Sequence, residues 1–148
     1  MKNLQLTKFE TITRYLLICL FLYAAITKGM EFQKFQVQLS SSPLVPVILV
    51  KTTAILVISM ELIIVGFLSV SALYLSGLLL SYSLMLFFSL YVFYLLNVPE
   101  FIPCACGGIL GKMGHETHLF FNLAITFLSI ISIYIFITRT KKHSIDKN

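Results

Sequence analysis

The sequence predicts an all-α integral membrane protein that folds as a bundle of four transmembrane helices. Charged residues make up only 11% of the chain and hydrophobic residues 58%, whereas a soluble domain carries about a quarter charged residues. Residues 52–96 contain one charged side chain, that of Glu61, and residues 119–138 contain none. About 20 apolar residues span the bilayer core as a helix. The pattern therefore excludes a soluble enzyme, a nucleic-acid-binding domain, a disordered tail and a disulfide-rich secreted module.

The hydrophobic runs and the residues that interrupt them define the helices of a single predicted domain over residues 1–148. The first run follows a basic segment and resembles a signal-peptide core, but no good cleavage site follows it, so we expect it to remain as a helix. Residues 52–96 are too many for one span at 1.5 Å per residue, and we place the break near Ser69. The transmembrane helices are predicted at residues 12–29, 44–68, 72–96 and 115–138.

A short amphipathic helix is predicted between the first two transmembrane helices. Phe32, Phe35 and Leu39 recur at i, i+3 and i+7, and polar residues fall on the opposite side. This periodicity is typical of a helix that lies in the membrane interface. Ser42 followed by Pro43 then predicts the N-cap and first turn of the second transmembrane helix.

The distribution of positive charge predicts the orientation. The two terminal segments hold seven of the 11 Lys and Arg residues, and the two longer loops hold the other four. Since cytoplasmic segments carry the excess of positive charge, both termini are predicted to be cytoplasmic (N-in/C-in). The 31–51 and 97–114 loops then face outward. The net charge of +5 is explained by these flanking residues and requires no nucleic-acid partner; the predicted surroundings are the lipid bilayer.

The 97–114 loop is the segment predicted to carry chemistry. It contains Cys104 and Cys106, followed directly by Gly107 and Gly108. A disulfide within Cys-x-Cys closes a small, strained ring that is easily reduced, and the positive end of the following helix would favour a thiolate. The predicted outward side is also the oxidising one, where disulfides persist. The loop therefore predicts a thiol–disulfide oxidoreductase with Cys104 and Cys106 as the catalytic pair, against the alternative of two cysteines that merely occupy a tight turn.

Metal binding is a second functional interpretation of the same loop. His115 and His118 share one helix face at i, i+3 spacing. Together with Cys104 and Cys106 they would offer two thiolates and two imidazoles, a donor set suited to zinc or copper. The spacing is not that of a standard zinc finger. We therefore expect no metal and keep these four residues as the alternative.

Glu61 is the one acidic residue inside a predicted span. A carboxylate in the membrane is costly and marks a functional candidate. It could pair with Lys28 or Lys51, both expected near the outer boundary, if the first and second helices are adjacent. Alternatively it could be protonated and hydrogen-bonded inside the bundle.

Two further polar positions lie within the predicted spans. Asn122 follows His118 by one helical turn and could hydrogen-bond to it. Cys19 has no polar neighbours in sequence, and a lone cysteine of this kind is expected to be a small buried hydrophobe rather than a nucleophile.

Several of these positions together resemble the MauE/DoxX-type family of redox-associated membrane proteins. The resemblance covers about residues 14–137, and its most specific part is the Cys-x-Cys-Gly-Gly loop. The matching segments are Tyr23-Ala24-Ala25-x-x-Lys28, Phe35-x-x-x-Leu39, Ser42-Pro43, Glu61-Leu62, Val98-Pro99, Pro103-Cys104-x-Cys106-Gly107-Gly108, Leu110-x-x-Met113 and His118-Leu119-x-Phe121-Asn122.

The resemblance implies a four-helix protein of the bacterial inner membrane that is linked to methylamine utilisation, with the Cys-x-Cys loop on the periplasmic side. Its role would be disulfide formation in, or maturation of, a periplasmic partner, and the partner would carry thiols or a disulfide. DoxX-like relatives are associated with quinone-coupled oxidation, which makes quinone the candidate cofactor, although the residues themselves indicate no cofactor. The resemblance carries the redox pair over to Cys104 and Cys106, and makes Lys28, Glu61 and His118 motif positions. The alternative is a non-enzymatic assembly factor in which the loop only docks the partner.

Overall fold

The computed structural model describes the backbone of residues 2–42, 44–97 and 115–145, and the side chains of residues 8–42, 44–97 and 117–141. Within these ranges the chain is helical throughout, apart from short turns. Short 3-10 turns at Val47–Leu49 and Ser71–Leu73 lead into the third and fourth helices. The α-helices are α1 (Lys2–Met30), α2 (Phe32–Ser40), α3 (Val50–Ser69), α4 (Tyr74–Leu96) and α5 (His115–Ile145).

Four of these helical segments are long and apolar enough to cross a bilayer. Each exceeds the roughly 20 residues that a span requires. The predicted all-α membrane protein with four transmembrane helices is therefore confirmed. The spanning segments are Lys8–Met30, Val47–Ser69, Ser71–Leu96 and Thr117–Lys141.

α1 and α5 extend beyond their predicted ends, because a helix can continue past the apolar segment that crosses the membrane. α1 begins at Lys2 rather than residue 12, and α5 continues to Ile145 rather than stopping at 138. The added turns are rich in Lys, Thr and other polar residues, which leave the membrane but still form helix at little cost. Hydropathy therefore marks the edge of the bilayer rather than the end of the helix.

The second transmembrane helix also begins later than predicted, at Val50 rather than residue 44. Pro46 is extended, with φ −57° and ψ 139°, and its ring disfavours helix in the residue before it, so the chain ahead of Pro46 does not join the helix. The Ser42 hydroxyl accepts a hydrogen bond from the Leu44 N–H at 3.3 Å, so it closes a local turn instead of capping α3. Pro43 lies outside the described residues.

The predicted amphipathic segment is a helix, α2, and its apolar side packs on the bundle. Phe35 is buried and Phe32 and Leu39 are half-buried, whereas Gln33 and Lys34 are exposed. The buried side faces chiefly α3. The helix thus forms part of the wall of the bundle at one end.

The transmembrane helices pack around one apolar cluster. The most extensive helix pairs are α4 with α5 and α1 with α3, followed by α3 with α4. α3 and α4 approach closely at Gly77, where an added Cβ would lie 2.9 Å from the Leu68 main-chain nitrogen. The buried members of the cluster are Leu17, Phe21, Ile64, Leu68, Tyr74, Leu78, Met85 and Ile125.

Candidate functional site

A cavity of about 190 Å³ lies at the end of the bundle where α1 and α4 end and α3 and α5 begin. All five helices contribute to its wall, and most of the lining side chains are aliphatic or aromatic. Four lining residues are the polar positions singled out in the sequence: Lys28, Glu61, His118 and Asn122. The fold thus brings together four candidates that are far apart in the chain.

Lys28 and Glu61 form a buried ion pair across α1 and α3. The Lys28 ammonium donates to Glu61 Oε1, and the two side chains are only 8% and 1% exposed. The ammonium also lies 5.8 Å from the centre of the Phe35 ring and 5.6 Å from that of Phe88, and such rings attract a cation. Of the arrangements considered for Glu61, the structure has the pair with Lys28, while Lys51 is exposed.

The second oxygen of Glu61 has a different environment. Glu61 Oε2 is buried, and it has no hydrogen-bond partner among the described residues. A buried acceptor without a partner costs about 1–3 kcal/mol, and more when it is charged. Because Glu61 also lines the cavity, its side chain brings to the cavity wall a buried acceptor that has no partner among the described residues.

His118 and Asn122 form the polar part of the wall that α5 contributes. Asn122 Nδ2 lies 3.4 Å from His118 Nδ1, the contact expected from their spacing. Asn122 is buried and His118 is half-buried. The Asn122 main-chain carbonyl in turn accepts a hydrogen bond from the Thr126 hydroxyl at 2.8 Å. The pair stands on the first two turns of α5, close to where the 97–114 loop enters that helix.

The predicted catalytic pair, Cys104 and Cys106, and the neighbouring Gly107 and Gly108 lie outside the described residues. The two ends of their loop are described, however. The last two turns of α4 and the first two turns of α5 both line the cavity, through residues such as Tyr91 and Phe121. The loop therefore starts and ends at the cavity end of the bundle.

The alternative metal site is only partly described. His118 lies on the cavity wall, whereas the His115 side chain and both loop cysteines, Cys104 and Cys106, lie outside the described residues. Among the side chains that are described, no group of three or more His, Cys, Asp or Glu residues could hold a metal ion. The four-residue set thus stays a prediction.

Cys19 does not lie in the core. It is a free cysteine, exposed on the outer surface of α1 within the span Lys8–Met30. The expectation that it is buried is wrong, because its side of α1 faces away from the other helices. It takes no part in the cavity.

A second polar cluster at the opposite end of the bundle was not predicted. Arg14 donates through Nε to the Leu68 carbonyl at 2.5 Å and through Nη2 to the Ser69 carbonyl at 2.6 Å. These are main-chain acceptors left free at the end of α3. Arg139 forms an ion pair with Glu10 at 2.7 Å. The i, i+4 spacing of Glu10 and Arg14 on α1 was the only signal in the sequence.

Comparison with known protein families gives a match over most of the chain. The sequence profile of the family described as methylamine utilisation protein MauE matches residues 6–135, which is most of the chain. No curated protein and no solved structure matches the chain significantly.

Proposed function

The chain belongs to the MauE family of methylamine utilisation proteins, and from this premise we propose that it is a membrane thiol–disulfide oxidoreductase. Cys104 and Cys106 would form the reactive pair, on the periplasmic side of a bacterial inner membrane. The substrate would be a periplasmic protein that needs a disulfide for its maturation.

The proposed reaction is a two-electron exchange. A thiolate of the partner attacks the Cys104–Cys106 disulfide and forms a mixed disulfide, releasing one of the two cysteines as a thiolate. A second partner thiolate then resolves the mixed disulfide, so the partner is oxidised and the pair becomes a dithiol. Membrane quinone would restore the pair by accepting two electrons and two protons, becoming a quinol as the disulfide re-forms.

The observation that supports this proposal is the cavity at the loop's end of the bundle, a largely apolar cavity whose wall includes ionisable side chains. Oxidation of a dithiol releases two protons, so groups that exchange protons are useful beside it. His118 and the Lys28–Glu61 pair line that cavity, and the ends of the Cys-x-Cys loop flank it. A loop that served only as a connection would not need three ionisable residues buried or half-buried in the membrane beside it.

Trapping the mixed disulfide tests the proposal. Cys104→Ser and Cys106→Ser each leave one thiol, which can attack the disulfide of the matured partner in the reverse of the proposed exchange, forming a mixed disulfide and a partner thiolate. Because the second loop cysteine is missing and cannot resolve the mixed disulfide, at least one variant should accumulate a disulfide-linked adduct on a non-reducing gel. Cys19→Ser is the matched control, because Cys19 is exposed within the span and outside the cavity. Absence of an adduct from both loop variants, with unchanged maturation of the partner, would contradict the proposal.

The same variants separate the two alternatives. A Cys104→Ser/Cys106→Ser protein that still supports maturation would identify a non-enzymatic assembly factor. Stoichiometric zinc or copper in the purified protein, lost from this double variant, would identify a metal site. Labelling the loop thiols from outside intact cells, with a reagent that does not cross the membrane, would test the proposed periplasmic orientation.

A further inference from the structure

The cavity has the features of a ligand site in addition to those of a reaction site. We propose that it binds a membrane-soluble aromatic molecule that carries a hydroxyl group, a phenol in chemical class. A quinol belongs to this class, so occupancy would agree with the proposed function. The inference rests on the cavity alone, however, and does not require thiol chemistry.

The size and lining of the cavity indicate one aromatic ring. An apolar protein cavity of about 150 Å³ binds benzene, so the 190 Å³ found here holds one substituted ring. Aromatic side chains are prominent in the wall, and such rings pack favourably against another ring. They are Phe35, Phe87, Phe88, Tyr91 and Phe121.

The polar groups indicate a hydroxyl on that ring. Glu61 is 1% exposed, and its Oε2 has no hydrogen-bond partner among the described residues. The Lys28 ammonium already donates to the other oxygen of this carboxylate. A carboxylate paired with an ammonium accepts hydrogen bonds and donates none, so the cavity favours an occupant with an O–H donor. Asn122, 4% exposed, offers both a donor and an acceptor to the same space.

The route of entry indicates a lipid-soluble molecule. Two lining residues, Phe87 and Leu44, are 62% and 49% exposed on the outside of the bundle. The cavity thus reaches the surface that faces the bilayer, and an alkyl substituent could extend through this opening. A lipid acyl chain alone would fill the apolar space but would leave Glu61 Oε2 without a donor, which is costly for a buried charge.

Binding of two matched probes tests the proposal. 4-Pentylphenol and pentylbenzene differ in one hydroxyl, and their binding would be measured by equilibrium dialysis on the full chain in nanodiscs, against empty nanodiscs. We expect saturable binding of the phenol at one site, about 10- to 100-fold tighter than binding of pentylbenzene, since a hydrogen bond to a charged acceptor gives a preference of this order. Equal affinity for the two probes, or no saturable phenol binding, would overturn the proposal.

Variants assign that binding to the cavity. Glu61→Gln should reduce the preference for the phenol to a few-fold. Val57→Phe fills the cavity from α3 without altering any charge and should abolish binding, whereas Ile55→Phe adds the same ring on the exposed side of α3 and should not. If Glu61→Gln does not fold, the comparison of Val57→Phe with Ile55→Phe still tests the proposal. Equal phenol binding by these two variants would overturn it.

The test also separates this inference from the thiol mechanism. Phenol binding should be unchanged in the Cys104→Ser/Cys106→Ser protein, because neither cysteine is invoked in the cavity. Binding retained together with a failed trapping experiment would leave the ligand site standing and remove the redox role. Trapped adducts together with no phenol binding would support the redox role and remove the ligand site.

Discussion

Removal of the Glu61 carboxylate should destabilise the bundle far more than removal of an acidic residue from an exposed ion pair. Glu61→Leu leaves the ammonium of Lys28, whose side chain is 8% exposed, without its counter-charge. Breaking a buried pair from one side costs about 3–5 kcal/mol. Because the rings of Phe35 and Phe88 still face the ammonium, we expect the lower end of this range, about 3 kcal/mol.

The chain provides a matched control in α2 and the residue before it. Glu31 and Lys34 form an ion pair at 3.1 Å, but their side chains are 52% and 65% exposed, and exposed pairs contribute about 0–1 kcal/mol. In thermal unfolding, with roughly 2–4 °C per kcal/mol for a chain of about this size, Glu61→Leu should lower the Tm by roughly 6–12 °C. Glu31→Leu should lower it by less than about 4 °C.

A double variant tests the reasoning behind these magnitudes. Lys28→Met/Glu61→Leu removes both charges and fills the space with apolar atoms, so its stability should be close to wild type or up to about 1–4 kcal/mol higher. The measurement is the free energy of unfolding of the two single variants and the double variant under one condition. Two results would refute the account of a buried, mutually dependent pair. One is a double variant whose loss of stability equals the sum of the losses in the two single variants. The other is a Glu61→Leu protein that is no less stable than Glu31→Leu.

Three further predictions concern the packing and the opposite end of the bundle. Gly77→Ala should lower the free energy of unfolding by about 1–3 kcal/mol, because the added methyl group would lie 2.9 Å from α3. Gly66→Ala has open space around it, so it should be neutral or stabilising by up to about 1 kcal/mol. Equal Tm values for the two variants would contradict this prediction. Arg14→Lys should lower stability by about 1.5–3 kcal/mol although the positive charge is retained. An ammonium cannot reproduce the two hydrogen bonds that the guanidinium donates to the carbonyls at the end of α3. An unchanged Tm would show that those hydrogen bonds are dispensable. Arg139→Gln should cost about 1 kcal/mol or less, because Arg139 is 50% exposed in its pair with Glu10; a larger loss in chemical denaturation would show that the pair is effectively buried.

The membrane fold could be predicted because it depends on where charges are absent, which is visible in any single sequence. A break between α3 and α4 was predicted from the length of the apolar run and placed near Ser69-Val70-Ser71, which agrees with the structure. The start of α3 was not predicted correctly, because Ser42 and Pro43 form a good N-terminal signal and Pro46 forms another. Only the observed turn shows that Pro46 decides where the helix begins.

The candidate site could be predicted residue by residue but not as a site. Lys28, Glu61, His118 and Asn122 each stood out, since a polar group in a span requires a partner. The contact between His118 and Asn122 follows from their spacing on one helix, whereas the pairing of Lys28 with Glu61 depends on the adjacency of α1 and α3, which the sequence does not show. The role of Arg14 could not be predicted at all, because its acceptors are main-chain carbonyls at a helix end, and no side-chain pattern encodes these.

Among the described residues, the apolar core also forms a layer without charged groups between the two polar ends of the bundle. On α1, Leu17 and Phe21 are fully buried between Arg14 at one end and Lys28 at the other, and the rest of the core continues this layer across the other helices. Moving one elementary charge across the whole membrane changes its energy by about 2.3 kcal/mol for every 100 mV of membrane potential. The cavity wall on α3 reaches Glu61, which lies well inside the span Val47–Ser69. A cation that reached Glu61 from the cavity end would therefore cross only part of the membrane, and its binding should respond to membrane potential by less than this full amount.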